Sequence, residues 1–254
     1  MDVVRAAVLV SVLALLVAGA CRLAAQDARA AVEAFVARLA PVNVTDLDIV
    51  QNLTLYDPGG RHPQSTGEQR VLFKLPLRQR LEQTVEGQRE VQLTIGDRVW
   101  VRRSDGRLYE MPALDRAGSR VHLLVPAKRT AADLLAEWRA LGVRDDVSHA
   151  ERAGGRMVTV IGAKPGERDV AAVWLDPEYG VVRLVARETL PTGVALIDRT
   201  YSEHRPLIGG FAFPYRQEFF VNGKLLMLIT VRSVRANTDL PDALFDPEAL
   251  RREP

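Results

Sequence analysis

Residues 215–232 read YRQEFFVNGKLLMLITVR, and they decide the fold more clearly than any other stretch of the chain. Two apolar runs flank Asn222-Gly223, the dipeptide that the tightest β-hairpin turn prefers because both of its residues take positive φ. Strands joined by so short a turn must be antiparallel, since a parallel crossover needs a dozen residues or more. The stretch therefore predicts an antiparallel hairpin.

The same pattern of short strands and turns extends outward over most of the chain. The turn residues include Asp57-Pro58-Gly59-Gly60, Gly96-Asp97 and Ser104-Asp105-Gly106. Between such breaks the apolar residues recur with the period of two that is typical of strands. The predicted strands are 44–56, 69–76, 79–86, 88–95, 98–103, 107–111, 156–162, 170–176, 181–188, 194–203, 215–221 and 224–232.

Two helices interrupt the strands. Within residues 28–40, Val32, Phe35, Val36 and Leu39 form one apolar stripe, and Pro41 ends the pattern. The predicted class is therefore α+β and mostly β. About eleven strands form a strongly curved antiparallel sheet, an incomplete barrel covered by an N-terminal and a central helix.

The central helix has clear ends. Thr130 and Asp133 have the spacing of a capping pair, and Gly142 is the kind of residue that ends a helix, directly after Leu141. The tail from Asn237 to Leu250 is rich in turn residues, so we expect it to lie over the surface.

The first 25 residues are predicted to be a signal for export. Arg5 precedes fifteen residues, Ala6 to Ala20, in which only Ser11 is polar, and small residues follow. That length suits a signal peptide and is short for a membrane span, which needs about 20 residues. Residues 26–254 then form a single domain.

Two cleavage sites fit this leader. Ala18-Gly19-Ala20-Cys21 resembles a lipobox, in which case Cys21 would carry lipid and tether the protein to a membrane. Cleavage after Ala25 would instead leave a soluble protein that begins at Gln26. With a single cysteine, no intramolecular disulfide is possible in either case.

Composition excludes a nucleic-acid-binding protein. Lys and Arg number 34 against 32 Asp and Glu, so the net charge is only +2. Arginines cluster between Arg98 and Arg107, but Asp105 lies among them, which favours a solvated hairpin.

No pattern of residues points to catalysis or to a metal. His62, His122, His149 and His204 are far apart and form no ligand motif, and His204 at a strand end is the one that could titrate. No nucleophile elbow or phosphate-binding glycine loop occurs. We expect no enzyme activity, no cofactor and no metal site.

Two paired acidic motifs have a structural explanation. Asp176-Pro177-Glu178 and Asp246-Pro247-Glu248 could be acid/base pairs or calcium ligands. The longer pattern Asp176-Pro177-Glu178-Tyr179-Gly180 is typical of a tight reversal between strands. We therefore predict a turn at 176–180.

Large apolar side chains on the strands and the central helix are the candidate ligand-binding residues. A curved sheet covered by helices leaves an apolar cavity when these side chains do not fill it, and an ordinary core is the alternative. The candidates are Trp100, Leu134, Leu135, Trp138, Trp174, Phe219, Val221 and Leu225.

Three stretches resemble the outer-membrane lipoprotein carrier and lipoprotein-sorting superfamily (LolA/LolB-like). They are the Trp-Leu-Asp-Pro hairpin within 173–183, the ending 237–247, and Phe73-Lys74-Leu75-Pro76 with Arg80. The resemblance implies an incomplete barrel closed by helices, with a cavity for acyl chains and the central helix as its lid. The chain departs from the family in its greater length, in the lipobox-like Cys21, and in having no single match for the gating arginine.

The sequence and the resemblance together predict a non-enzymatic protein of the bacterial periplasm or envelope that binds lipid or lipoprotein acyl chains. One alternative is an envelope sensor or protein-interaction module on the same fold. A hydrolase whose site has escaped notice is another.

Overall fold

The structure is a computed structural model that describes residues 28–76, 78–96, 98–111, 130–190 and 193–253. The predicted signal peptide, Cys21 and His122 lie outside these residues. Within the described part of the chain, no helix is long and apolar enough to span a membrane.

Thirteen strands form one antiparallel sheet whose spatial order is β6-β5-β4-β3-β2-β1-β13-β12-β11-β10-β9-β8-β7. The sheet is curved and does not close, which confirms the predicted incomplete barrel and the mostly β class. The strands are β1 (Asp46–Tyr56), β2 (Pro63–Lys74), β3 (Arg78–Val85), β4 (Gln88–Ile95), β5 (Arg98–Arg102), β6 (Leu108–Met111), β7 (Ser148–Ala153), β8 (Arg156–Ile161), β9 (Ala172–Asp176), β10 (Gly180–Leu190), β11 (Gly193–Ile208), β12 (Phe211–Val221) and β13 (Lys224–Ala236).

The predicted strands are all present, and the structure adds the edge strand β7. The hairpin of β12 and β13 turns at Asn222, whose φ is 49°, and at Gly223, whose φ is 77°. These are the positive values that the Asn-Gly pair was expected to supply. The turn at 176–180 is also confirmed: Asp176 Oδ1 accepts hydrogen bonds from the N–H groups of Glu178 and Tyr179 at 2.7 and 2.9 Å.

Both predicted helices are confirmed: α1 covers residues 28–39 and α2 covers Ala131–Ala140. Thr130 and Asp133 form the capping box at the start of α2, each side chain bonding the other residue's backbone N–H. Gly142, with φ of 87°, follows the end of α2 as predicted. A third helix, α3 (Pro247–Arg252), was not predicted.

The two faces of the sheet carry separate apolar clusters. The helix face holds Phe73, Val173 and the buried side chains of α1 and α2, including Val32 and Trp138. Since successive residues of a strand point to opposite faces, Leu72 and Trp174 belong to what we name the outer face. The sheet is therefore apolar on both sides over much of its area.

The C-terminal tail covers the outer face of β2–β5. Leu240, Phe245 and Leu250 are at most 6% exposed and pack against Leu93 and Trp100. The tail thus lies over the sheet surface as predicted, and it also buries a second small core there. Each side chain of this size contributes about 1.5–3 kcal/mol by its burial.

The tail is also held by charges. The guanidinium of Arg80, which is 2% exposed, donates to Glu253 Oε2 at 2.8 Å and to Glu82 at 2.6 Å. Arg102 donates to the backbone oxygen of Glu253 at 2.6 Å. These contacts fix the end of α3 against the sheet.

The first strand pairs with the last, and two buried aspartates lie at this seam. Asp48 on β1 accepts two hydrogen bonds from Arg70 on β2, at 2.9 and 3.0 Å, and another from Arg235 on β13. Asp46 accepts from the N–H and the hydroxyl of Thr238, both at 2.7 Å. Hydrogen bonds from Arg70 lower the pKa of Asp48 most, so its carboxylate is charged at neutral pH.

We predict that Asp48→Asn costs about 2–3 kcal/mol of stability at pH 7, because it removes a buried charge that two guanidiniums contact. Asp242→Asn is the matched control: Asp242 also contacts two cations, Lys74 and Arg78, but its side chain is 73% exposed. Urea unfolding of both variants measures the difference. Equal losses in the two variants would contradict a special role for the seam.

The cost of Asp48→Asn should also depend on pH. The folded pKa of Asp48 lies below that of the unfolded chain, about 3.9, so the unfolded state takes up the proton first as pH falls. The stability that the carboxylate contributes is therefore complete at neutral pH and is lost below about pH 4. We expect the difference between wild type and variant to shrink between pH 5 and pH 3; a constant difference would contradict this.

Candidate functional site

A row of side chains crosses the helix face over seven adjacent strands. Residues that lie directly opposite each other in neighbouring strands point to the same face. Starting at β1 and ending at β8, the row consists of Leu55, Met227, Phe219, Arg199, Leu184, Val173 and Ile161.

The row is covered unevenly. Ile161, Val173 and Leu184 are fully buried, whereas Phe219 and Met227 are only partly buried and pack at the border of the core. The half-covered end lies on β1, β13 and β12, so this part of the helix face is the candidate site. A ligand could contact the apolar side chains of this part without any opening of the core.

The helices leave that end partly free because they are anchored at the other one. Arg38 of α1 donates to the backbone oxygens of Glu178, in the turn between β9 and β10, and of Gly210, in the turn between β11 and β12. Phe35 packs directly on Gly180, where an added Cβ would lie 2.6 Å from the ring. After α2, Val143 packs against Gly162, at the end of β8.

A buried ion pair lies in the middle of the row. Arg199 on β11 donates from Nη1 and Nη2 to the two carboxylate oxygens of Glu188 on β10, at 2.8 and 3.0 Å. The two side chains are 4% and 6% exposed. The guanidinium also lies 5.6 Å from the centre of the Phe219 ring. The apolar wall therefore contains one strongly polar point, and leaving either charge without the other would be costly.

Glutamines form a second polar strip on the same face. Gln51 donates to Gln69 at 2.8 Å, and Gln69 donates to Gln83 at 3.0 Å, one residue on each of β1, β2 and β3. Because each amide both donates and accepts, the strip satisfies its own hydrogen bonds across three strands. It borders the apolar end of the site on the side of β2.

The structure brings together only part of the predicted ligand-binding set. Leu134, Leu135, Trp138 and Phe219 join one cluster on the helix face. Val221 is half-buried near the hairpin turn, as is Leu225. Whether any of them binds a ligand stays a prediction.

The two remaining tryptophans lie elsewhere. Trp100 packs under the C-terminal tail and Trp174 in a cluster around β8, β9 and β10, both on the outer face. The alternation of side chains along β5 and β9 separates them from Trp138. They cannot line a cavity together with the central helix.

Arg199 and Glu188 were not predicted as site residues, although their spacing in the sequence carries a signal. Arg199 alternates with Ile197 and Tyr201, and Glu188 with Leu184 and Ala186. In a strand of period two, that spacing puts a charge on an apolar face. A charged residue at such a position predicts a buried partner on a neighbouring strand.

The histidines and acidic residues in the described part of the chain form no metal cluster. Among the residues that the structure describes, no three His, Cys, Asp or Glu side chains are grouped so as to hold a metal ion. His62 is exposed in the loop before β2, and His149 on β7 contacts the backbone oxygen of Ala163 at 3.1 Å. His204 stacks on Tyr179 at 4.5 Å between ring centres.

Known proteins resemble this chain in their fold and not in their sequence. No family model matches the chain, and no curated protein matches it in sequence. Solved structures match over nearly the whole chain. A Vibrio parahaemolyticus domain named for outer membrane lipoprotein sorting superposes with a TM-score of 0.57 at 13% identity, covering 90% of this chain and 100% of that one.

Two further structures agree. A DUF1329 family protein of Desulfovibrio piger has a TM-score of 0.55 at 12% identity, and a LolA superfamily protein of Nitrosomonas europaea has one of 0.51 at 11% identity. Each covers 87% of this chain and 98% of its own. The expected resemblance is confirmed at the level of architecture: the chain has the LolA-like fold.

Proposed function

We propose that the protein is a non-enzymatic component of the bacterial envelope that binds lipid or lipoprotein acyl chains against the helix face of its sheet. The observation that carries the proposal is the row of partly covered apolar side chains, Leu55, Met227 and Phe219, on three adjacent strands. The fold shared with a domain named for lipoprotein sorting supports it.

The dimensions of the row suit an acyl chain. Neighbouring strands lie about 4.8 Å apart, so three aligned side chains offer roughly 10 Å of continuous apolar wall. Leu53 and Ile229, opposite each other on β1 and β13, are buried and support this wall from the side of the core. Each CH₂ group removed from water there contributes about 0.8 kcal/mol, so a chain of a dozen carbons gains enough to bind.

The ion pair gives this wall a polar end. Arg199 lies beside Phe219 in the row, and both of its Nη atoms donate to the carboxylate of Glu188, so the apolar wall ends there at a buried ion pair. A bound acyl chain would therefore lie on the side of Phe219, Met227 and Leu55, away from the two charges.

We predict that the purified protein captures a triacylated lipopeptide, N-palmitoyl-S-dipalmitoylglyceryl-cysteine on a short peptide, in native mass spectrometry. Met227→Trp should weaken capture about tenfold or more, because the indole occupies the wall where the chain would lie. Leu228→Trp is the matched control: this neighbouring residue is equally half-buried but faces the other side of the sheet.

Circular dichroism melting of both variants establishes that they are folded. Equal capture by Met227→Trp and Leu228→Trp, or no capture of any lipid by wild type, would contradict the proposal. A stable protein partner retained without lipid would instead favour an interaction module on the same fold.

The leader predicts where the protein works, and its cleavage site predicts how the protein is held there. We expect export to the periplasm, where cleavage leaves either acylated Cys21 or free Gln26 as the first residue. The intact mass of the protein isolated from envelopes distinguishes the two. A chain that retains Met1 in envelope fractions would contradict export by a cleaved signal.

A further inference from the structure

A cavity lies on the outer face of the sheet, on the side away from α1 and α2. It has a volume of about 690 Å³ and is lined by residues of β7–β11. Trp174, Arg183 and Thr200 form one cross-strand row along its floor. Their chain neighbours Val173 and Leu184 point to the helix face, so the sheet itself separates this cavity from the candidate acyl site.

Two arginines of this outer-face pocket lie over aromatic rings. The Cζ atom of Arg156 lies 4.3 Å from the centre of the Tyr179 ring, and that of Arg183 lies 4.4 Å from the Trp174 ring. Tyr179 is in turn stacked on His204, with 2° between the ring planes. Each guanidinium is thus placed over the face of an aromatic ring.

Carboxylates bond the Nε and Nη2 groups of both guanidiniums. Arg156 donates to Asp176 at 2.6 and 3.2 Å and to Glu178 at 2.7 Å. Arg183 donates to Asp198 at 2.9 and 2.7 Å. Because the Nε and Nη2 groups of both arginines already bond carboxylates, the edge that would bind an anion bidentately is occupied in each, and the planar faces are the part that we expect a ligand to meet.

The lining has no excess of charge. Its three carboxylates and three guanidiniums are Glu151, Asp176, Glu203, Arg156, Arg168 and Arg183. Burial lowers the pKa of His204 to about 4, so its ring is neutral at neutral pH. Val158 and Val182 add apolar surface to the floor. An ion of either sign would lose its hydration here without meeting an uncompensated opposite charge.

We propose that the outer-face pocket binds a neutral, planar aromatic small molecule. Such a ring stacks on the free planar faces of Arg156 and Arg183, which are already backed by Tyr179 and Trp174, and it needs no countercharge. The volume lies within the 300–1,000 Å³ that small-molecule sites typically occupy. The site is independent of acyl-chain binding, since it lies on the other side of the sheet.

Indole is a suitable probe because it is neutral, planar and small. Titration of the purified ¹⁵N-labelled protein with indole should shift backbone amide resonances within 153–158, 174–183 and 200–204, the segments that line the pocket. Indole-3-acetate and tryptamine carry the same ring with a negative and a positive charge. Both should bind more weakly than indole.

A pair of serine substitutions tests the location. Ser202→Trp places a side chain in the pocket and should weaken indole binding about tenfold or more. Ser233→Trp is the control, because Ser233 is also an exposed strand residue but does not line the pocket. It lies on the same outer face, since its partner Val50 points to the same side of β1 as Asp48. Ser202 and Ser233 are both exposed, so neither change disturbs the core.

The outcomes separate this proposal from acyl-chain binding. Three results would overturn the proposal of an outer-face aromatic site. They are amide shifts confined to the helix face, displacement of indole by dodecanoate, and equal affinity for indole in Ser202→Trp and wild type. Tighter binding of either charged analogue would overturn the preference for neutral rings. Loss of lipopeptide capture in Met227→Trp with intact indole binding would bear on the acyl site alone.

Discussion

The pairing of β1 with β13 is the constraint on which the rest of the structure depends. The sheet consists of two meanders, β1 to β6 and β7 to β13, and in the sheet order they meet only at this seam. Closing a loop of about 190 residues costs entropy before any contact forms there. Asp48 offsets part of that cost by binding Arg70 and Arg235 together, while Asp46 fixes the chain just after β13. Without the seam, Leu55 and Met227 would not lie side by side, and the candidate acyl site would not exist.

Each face of the sheet is used differently along its width. The helices and the C-terminal tail both cover apolar side chains, but on opposite faces: α1 and α2 on the helix face, and the tail over β2–β5 on the outer face. Among the described residues, these segments leave the end of the helix face near Phe219 and the outer-face pocket above Trp174 partly uncovered. Both candidate sites therefore lie where the described covering segments stop, and a strongly polar pair, Glu188–Arg199 or Arg183–Asp198, lies beside each.

The sequence predicts the local structure well because the signals are local. Asn222-Gly223, the Thr130–Asp133 capping box and the turn at 176–180 each need only a few neighbouring residues, and the structure contains all three. β7 was not predicted, because this edge strand has no run of large apolar residues in its sequence, SHAERA. The positions of Trp100 and Trp174 could not be deduced, since a sheet that is apolar on both faces gives no pattern to tell them apart. Prediction of the Arg199–Glu188 ion pair required the register between β10 and β11, although the spacing of Arg199 already indicated which face it lies on.

The turn at 176–180 contacts elements on both faces of the sheet. Its backbone at Glu178 accepts a hydrogen bond from Arg38 of α1, and Gly180 lies under Phe35, where any side chain would collide with the ring. On the outer face the same turn presents Asp176 to Arg156 and holds Tyr179 in its stack. The geometry of the turn therefore determines both how closely α1 packs on the helix face and where one wall of the outer-face pocket lies. One Asp176 side chain braces this turn through the N–H groups of Glu178 and Tyr179, so the same carboxylate holds the backbone under α1 and the backbone that presents the Tyr179 ring.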